Sequence, residues 1–183
     1  MGWLKFPTVC VPRTTFAAVL ALVVSVQSVA AAGPAVETRP DLLNKLVGDW
    51  VLRGELAGKQ TIHDVHASWV LNGRYVRLDE VSRDPDDRGR SAYVAAIYIG
   101  WEPRSRTYTC IWLDSTAVAA GDGRCAAKPM PNRLPFLFED KTGTVNFANT
   151  FVYDPGKDLW TWQLDDVANG KHTPFGRVVL SRR

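Results

Sequence analysis

The sequence predicts an all-β fold, an up-and-down antiparallel barrel of about eight to ten strands that follows one short helix. Three observations support this prediction. From Val51 onward, apolar and polar residues alternate in successive runs, as half-buried strands require. Short segments that contain Pro, Gly, Asn or Asp separate the runs and indicate turns. Only one segment has helical spacing. Because strands joined by short links pair with their neighbours, closure into a barrel would remove both exposed edges.

The helix is predicted at the segment "PDLLNKLVG". Its apolar residues fall on one side at helical spacing, and Asp41 is expected to cap its first turn. Gly48 is expected to end it, because glycine adopts the left-handed backbone conformation that often follows a helix.

The strands follow the helix in a regular order. They are predicted in Val51–Leu56, "IHDVHASWV", "YVRLDEV", "AYVAAIYIGW", "TYTCIWLD", "TVNFANTFVY", "LWTWQLDDV" and "FGRVVLSRR". Asn72-Gly73 between two such runs predicts a tight hairpin, since both residues tolerate positive φ. The segment Thr116–Pro135 is the exception, because it is long and rich in Ala, Gly and Pro. It is predicted to be an irregular loop over one barrel end, with room for one short strand.

The first residues have the pattern of a cleaved secretory signal. Lys5 and Arg13 precede the uncharged run "FAAVLALVVSVQSVAAA", which ends in small residues before Gly33. The alternative is a membrane anchor, but the run is shorter than the roughly 20 residues of a membrane span and contains Ser and Gln.

This pattern divides the chain into three parts. Residues 1–32 are predicted to be the signal peptide, residues 33–40 a flexible tether, and residues 41–183 the barrel domain. We therefore expect an exported protein, periplasmic or secreted, with no stable membrane span after cleavage.

Cysteine usage agrees with export. Cys10 lies before the apolar run and is removed with the signal peptide, which leaves Cys110 and Cys125. An even number of cysteines in an oxidising compartment favours a disulfide between them. Two unpaired thiols remain the alternative.

The charge balance excludes some partner classes. The chain has 22 basic and 19 acidic residues, and two of the basic residues lie in the predicted signal peptide. The remaining chain is close to neutral, so we expect no nucleic-acid partner. The sequence leaves the oligomeric state open.

A family resemblance begins with "LVGDW" after the short helix. This motif resembles the Gly-x-Trp opening of lipocalin-like (calycin) barrels. Together with "SWVLNGRYVR", "IGWEPRSRTYTCIWLD" and a basic final strand, it makes the chain similar, from about Leu42 to Arg182, to an uncharacterised bacterial family of exported lipocalin-like barrels.

The resemblance implies roles for four residues at the barrel floor. Gly48 and Trp50 would mark the start of the first strand, and the helix would close the floor. Trp50 would pack across that floor against a basic residue of the last strand, either Arg177 or Arg182, through a cation–π contact.

Strand parity predicts which side chains face the interior. It places Trp112 and Asp114 on one inward face, and Trp162 and Asn149 on two others. Arg77, which shares a face with Tyr75 and Asp79, is a further polar candidate. These residues form the predicted ligand site, although for any single Trp burial preferences favour core packing alone.

No metal site and no cofactor is predicted. His63 and His66 are three residues apart, which places them on opposite faces of a strand. Nitrobindin-like barrels, which the resemblance makes distant relatives, bind haem through a histidine close to the C-terminus. The final strand here has no histidine, and His172 lies just before it.

Three function classes are compatible with the sequence. The favoured one is a binder of a small apolar or amphipathic molecule. The second is a filled barrel that has a structural or partner-binding role. The third is an enzyme that uses Asp114, Arg77 or His66 as acid or base. We assign no catalytic residue, because the sequence contains no Gly-x-Ser-x-Gly motif or other nucleophile signature.

Overall fold

The computed structural model describes residues 41–116 and 123–183. The predicted signal peptide and tether lie outside the described residues. Within the described part of the chain, no helix is both long and apolar enough to cross a membrane.

The described chain is one closed antiparallel barrel with a short helix before it, as predicted. Each strand pairs with the strands before and after it in the sequence, and β10 pairs with β1 to close the barrel. The elements are α1 (Leu42–Leu46), β1 (Gly48–Leu56), β2 (Lys59–Val70), β3 (Tyr75–Ser82), β4 (Val94–Glu102), β5 (Thr107–Asp114), β6 (Arg124–Ala127), β7 (Arg133–Glu139), β8 (Val145–Asp154), β9 (Leu159–Ala168) and β10 (Lys171–Arg182).

Part of the segment predicted to be an irregular loop forms barrel wall. It contains β6 and the beginning of β7, which includes Pro135. Pro135 lies opposite Thr150 of β8 in the pairing register. The one short strand that the prediction allowed in this segment corresponds to β6, whereas β7 was not predicted. Proline and glycine obscure strand alternation in the sequence, and pairing with neighbouring strands decides the structure.

The helix begins differently from the prediction. The Asp41 side chain makes no capping hydrogen bond to the backbone. Its Oδ1 instead accepts a hydrogen bond from the Asn44 side chain at 2.7 Å, and its backbone carbonyl accepts one from the Asn44 N–H at 2.9 Å. The helix is held mainly by burial of Leu43 and Leu46, which are both 0% exposed.

Trp50 and Arg182 close the floor of the barrel. Arg182 lies over the Trp50 ring, with 3.7 Å between its Cζ atom and the ring centre. The Trp50 Nε1 donates to the Leu46 carbonyl at 2.7 Å, and Arg182 Nη1 donates to the Val47 carbonyl at 2.7 Å. These contacts fasten α1 to the first and last strands.

Arg177, the other arginine considered as the partner of Trp50, lies elsewhere. It donates to the Leu164 carbonyl at 2.9 Å and to Asp165 at 2.8 Å, both on β9. Gly48 leaves space for Arg182, because a Cβ at residue 48 would lie 2.2 Å from Arg182 Nη1. The φ of +132° at Gly48 also favours glycine.

Aromatic rings fill the half of the barrel next to this floor. Phe151 stacks on Trp162 at 4.2 Å between ring centres, and Phe136 meets Phe151 edge to face at 5.5 Å. Trp160 is fully buried, and its Nε1 donates to the Lys45 carbonyl at 3.2 Å. Such ring pairs add to the hydrophobic stabilisation of the core.

The predicted disulfide between Cys110 and Cys125 is confirmed. The two cysteines lie directly opposite each other on β5 and β6, with 4.9 Å between their Cα atoms. The disulfide joins the four-residue strand β6 covalently to β5.

Candidate functional site

The half of the barrel away from α1 contains a cavity of about 930 Å³. That volume is in the range of pockets that hold small molecules, roughly 300 to 1,000 Å³. Its aromatic lining residues are Tyr93, Trp112, Phe138, Phe147, Trp162 and Phe175. Exposed residues, among them Lys59, Gln60 and Asp84, form its mouth.

The aromatic rings of the cavity form a continuous wall. Trp112 meets Trp162 at 6.2 Å and Phe138 at 6.0 Å between ring centres. Phe147 continues this wall, at 5.7 Å from Phe138 and 5.6 Å from Phe175. All four contacts are edge to face, an arrangement that aromatic pairs favour.

A buried His63–Glu80 pair lies in the cavity wall that β2 and β3 contribute. His63 is 3% exposed and Glu80 is 2% exposed. The His63 Nδ1 and Glu80 Oε1 atoms are 2.5 Å apart. The register explains the contact, because His63 lies opposite Ser82, which is two residues from Glu80 on the same inward face.

Two further residues extend this pair to the mouth of the cavity. The Thr61 hydroxyl lies 2.7 Å from His63 Nε2 and donates to Asp84 Oδ2 at 3.1 Å. Asp84 is exposed to solvent. A continuous hydrogen-bonded chain therefore connects the buried carboxyl group of Glu80 with the surface. We call these four residues, Thr61, His63, Glu80 and Asp84, the Glu80 relay.

Tyr93 covers one side of the relay. Its ring stacks on His63 at 5.6 Å, and its hydroxyl accepts a hydrogen bond from Trp112 Nε1 at 3.0 Å. Burial, followed by the negative charge of Glu80, raises the pKa of Tyr93 well above its ordinary value. Tyr93 is therefore a neutral hydroxyl at physiological pH.

Of the predicted ligand residues, Trp112, Asp114 and Trp162 line the cavity. Asp114 Oδ1 also accepts hydrogen bonds from the Thr116 backbone N–H at 2.8 Å and hydroxyl at 2.5 Å. Asn149 faces the interior at 0% exposure but is not among the cavity-lining residues. Neither side-chain polar atom of Asn149 has a hydrogen-bond partner in the described structure.

Arg77 lies outside the barrel, which corrects the expectation that it anchors a ligand. It forms an ion pair with Asp79 at 2.6 Å and contacts the Tyr98 ring at 5.8 Å. The inward face of β3 consists of Val76, Leu78, Glu80 and Ser82. Because strand side chains alternate, Tyr75, Arg77 and Asp79 face outward.

Sequence reasoning missed His63 and Glu80. A signal was present, because Glu80 shares its strand face with Val76 and Leu78, and an ionisable group on an apolar face indicates a buried polar site. His66, the histidine considered as a catalytic acid or base, is exposed and lies 2.7 Å from Asp49.

Within residues 41–116 and 123–183, no group of three or more His, Cys, Asp or Glu side chains could hold a metal ion. Comparison with known proteins finds no matching family model and no significant match among curated proteins. The cavity geometry is therefore the basis for a functional proposal.

Proposed function

We propose that this protein is an exported, lipocalin-like barrel that binds one small apolar or amphipathic molecule. The observation that carries the proposal is the cavity of about 930 Å³ whose wall is a continuous set of aromatic rings. An apolar molecule that enters it is removed from water, which contributes roughly 25 cal/mol per Å² of buried apolar surface.

The polar groups of the cavity support an amphipathic ligand. His63, Glu80 and Asp114 all border the same space as Trp112 and Phe147. Pockets with an apolar lining and a few fixed polar groups hold a ligand in one orientation, because only one end of the molecule satisfies those groups. A filled barrel with a purely structural role would not contain a cavity of this size.

Export is supported by the charge and apolar pattern of residues 1–32 and by the Cys110–Cys125 disulfide. N-terminal sequencing of the protein from the cell envelope should find a start between Ala31 and Ala35. An intact Met1 on the protein from the cytoplasm would contradict export, but it would not bear on the proposal that the barrel binds a ligand.

Ligand binding can be tested by intrinsic tryptophan fluorescence, since Trp112 and Trp162 line the cavity. Titration with naphthoquinone or a porphyrin should quench this fluorescence with a dissociation constant in the micromolar range, on the order of 10⁻⁶ M. Trp112→Ala should weaken binding at least about tenfold, because it removes ring surface from the wall.

The matched control is Trp101→Ala. Trp101 is partly buried at the floor end of β4 and meets Tyr108 at 5.0 Å, away from the cavity. This variant should bind like the wild type. A lack of binding by quinones, porphyrins and fatty acids alike would contradict the proposed function.

Acid–base catalysis is a second candidate, favoured by the buried His63–Glu80 contact of 2.5 Å. Native mass spectrometry of the protein purified from its own host separates the two candidates. A binder should release its co-purified molecule unchanged after incubation. An enzyme should convert it, and His63→Gln should stop that conversion without preventing binding.

A further inference from the structure

The second oxygen of Glu80 has no hydrogen-bond partner within the described structure. Oε1 contacts His63, whereas Oε2 is buried, and the residue Glu80 lines the cavity. A buried carboxyl oxygen without a partner is costly, by an amount that usually exceeds the gain from one ordinary hydrogen bond. A ligand group that forms a hydrogen bond with Oε2 would remove that cost.

The hydrogen bonds of the Glu80 relay determine whether Oε2 can donate a hydrogen bond or can only accept one. The Thr61 hydroxyl has one hydrogen, and it donates this hydrogen to Asp84 because a carboxylate only accepts. The Thr61 oxygen must then accept from His63 Nε2, so Nε2 carries a hydrogen. The other ring nitrogen, Nδ1, faces Glu80.

One proton remains to be placed between His63 Nδ1 and Glu80 Oε1, which are 2.5 Å apart. If His63 holds it, Glu80 is a carboxylate. If Glu80 holds it, the proton lies on Oε1 and Oε2 is the carbonyl oxygen. In both arrangements Oε2 has no hydrogen and can only accept a hydrogen bond.

We propose that the ligand of this cavity presents a hydrogen-bond donor, a hydroxyl or an N–H group on an aromatic or other apolar body, to Glu80 Oε2. This inference rests on the proposed ligand-binding function and specifies its ligand class. In this arrangement the aromatic wall contacts the apolar body, and the donor contacts Oε2, which requires the Glu80 side chain to expose that oxygen to the cavity.

The same geometry disfavours an anionic head group at this position. A carboxylate or phosphate would bring acceptor oxygens against an acceptor, and no hydrogen would lie between them. Lys59 is exposed at the mouth, so an anionic group of a ligand is better placed there than beside the relay.

Three probes that share one aromatic body test the proposal by equilibrium dialysis at pH 7. They are 2-naphthol, which has a donor, 2-methoxynaphthalene, whose donor is methylated, and 2-naphthoate, which is an anion. The wild type should bind 2-naphthol at least about tenfold more tightly than either of the others, because only 2-naphthol supplies a donor to the buried Oε2.

Glu80→Gln should abolish this preference. The amide oxygen can still face His63, and the amide NH₂ then presents a donor to the cavity in place of an acceptor. The affinities for 2-naphthol and 2-methoxynaphthalene should come within about threefold of each other. Glu139→Gln, the same change at an exposed glutamate, should retain the wild-type preference.

The outcomes separate the inference from the function on which it rests. Equal binding of all three probes by the wild type, or tightest binding of 2-naphthoate, would overturn the inference and leave the binding function standing. Binding of none of them would overturn both for aromatic ligands. The wild-type comparison needs no variant, so the test does not depend on whether Glu80→Gln folds.

Discussion

The two ends of the barrel use the same residue types differently. At the floor, the indole N–H groups of Trp50 and Trp160 donate to the carbonyls of Leu46 and Lys45. In the cavity, Trp162 is equally buried at 1% exposure, yet its N–H has no acceptor in the described structure. Trp50 and Trp160 therefore hold α1 to the barrel, whereas Trp162 lines the cavity. Indole pairing alone does not distinguish the two ends, since within the described residues the Trp101 N–H at the floor also lacks an acceptor and Trp112 in the cavity donates to Tyr93.

Charged groups differ between the two ends in the same way. Arg182 at the floor has acceptors for its donors, in the Val47 carbonyl and in Asp158 at 2.9 Å. Glu80 in the cavity is more deeply buried and leaves one oxygen without a partner. Proteins normally satisfy buried polar groups, so the unsatisfied oxygen of Glu80 beside the cavity is the observation from which we propose a ligand contact there.

The largest effect that we predict is at the floor. Trp50→Ala should lower the free energy of unfolding by about 3–5 kcal/mol, because it removes a fully packed ring and leaves a hole between α1 and the barrel. Urea denaturation at pH 7 measures this change.

Trp112→Ala makes the same change beside the cavity, where the ring is only partly buried. We expect a loss of about half that size, since the ring already borders open space. Equal losses at the two positions would remove the distinction between a packed floor and an open cavity.

The next effect concerns the weakest part of the barrel wall. Strand β6 pairs with β5 over four residues and with β7 over two, and the disulfide supplements this short pairing. The disulfide closes a loop of 15 residues, so reduction should lower the free energy of unfolding by about 3 kcal/mol. Thermal unfolding with and without dithiothreitol measures it.

The control for reduction is the double variant Cys110→Ala/Cys125→Ala. It should resemble the reduced wild type and should not respond to dithiothreitol. If the wild type were equally stable with and without reductant, β6 would be held by its neighbours alone.

The smallest effect is the pH dependence of the floor. The hydrogen bond from Arg182, followed by that from Tyr153, lowers the pKa of Asp158. A carboxyl whose pKa is lowered by folding contributes stability above its unfolded pKa, near 4, and this contribution is lost as the pH falls through the folded value. Because Asp158 is about half exposed, we expect under about 1 kcal/mol.

Urea denaturation of the wild type and Asp158→Asn at pH 7 and pH 3 measures this contribution. At pH 7 the wild type should have a slightly larger free energy of unfolding than Asp158→Asn, and this difference between the two proteins should be smaller at pH 3. A difference that grew on acidification would mean that the Arg182–Asp158 pair does not stabilise the floor.

Several features could be predicted from the sequence because they are local. The alternation of "TYTCIWLD" indicates that Tyr108, Cys110 and Trp112 share a face, and all three are inward. Asn72-Gly73 predicts the turn between β2 and β3, where both residues have positive φ. Residues joined by short links must pair with their neighbours, which makes the barrel order a consequence of sequence order.

Other features depend on groups that are distant in the sequence. Strand parity alone leaves open which of the two faces of β3 points into the barrel. In the structure the face with Glu80 points inward, and Arg77 and Asp79 form an ion pair on the outward face. The outward position leaves these two charges in contact with solvent. The choice of Arg182 over Arg177 as the partner of Trp50 depends on the register between β1 and β10, in which Trp50 pairs with Arg182.

The all-β architecture, the turns and the pairing of two cysteines follow from residue order, because they depend on alternation, backbone preferences and an even cysteine count. The His63–Glu80 contact does not, since 17 residues separate its partners and the bond depends on the pairing register of two strands. A shift of one residue would turn every side chain of a strand to the other face of the barrel. The proposed ligand site is therefore a property of the assembled barrel.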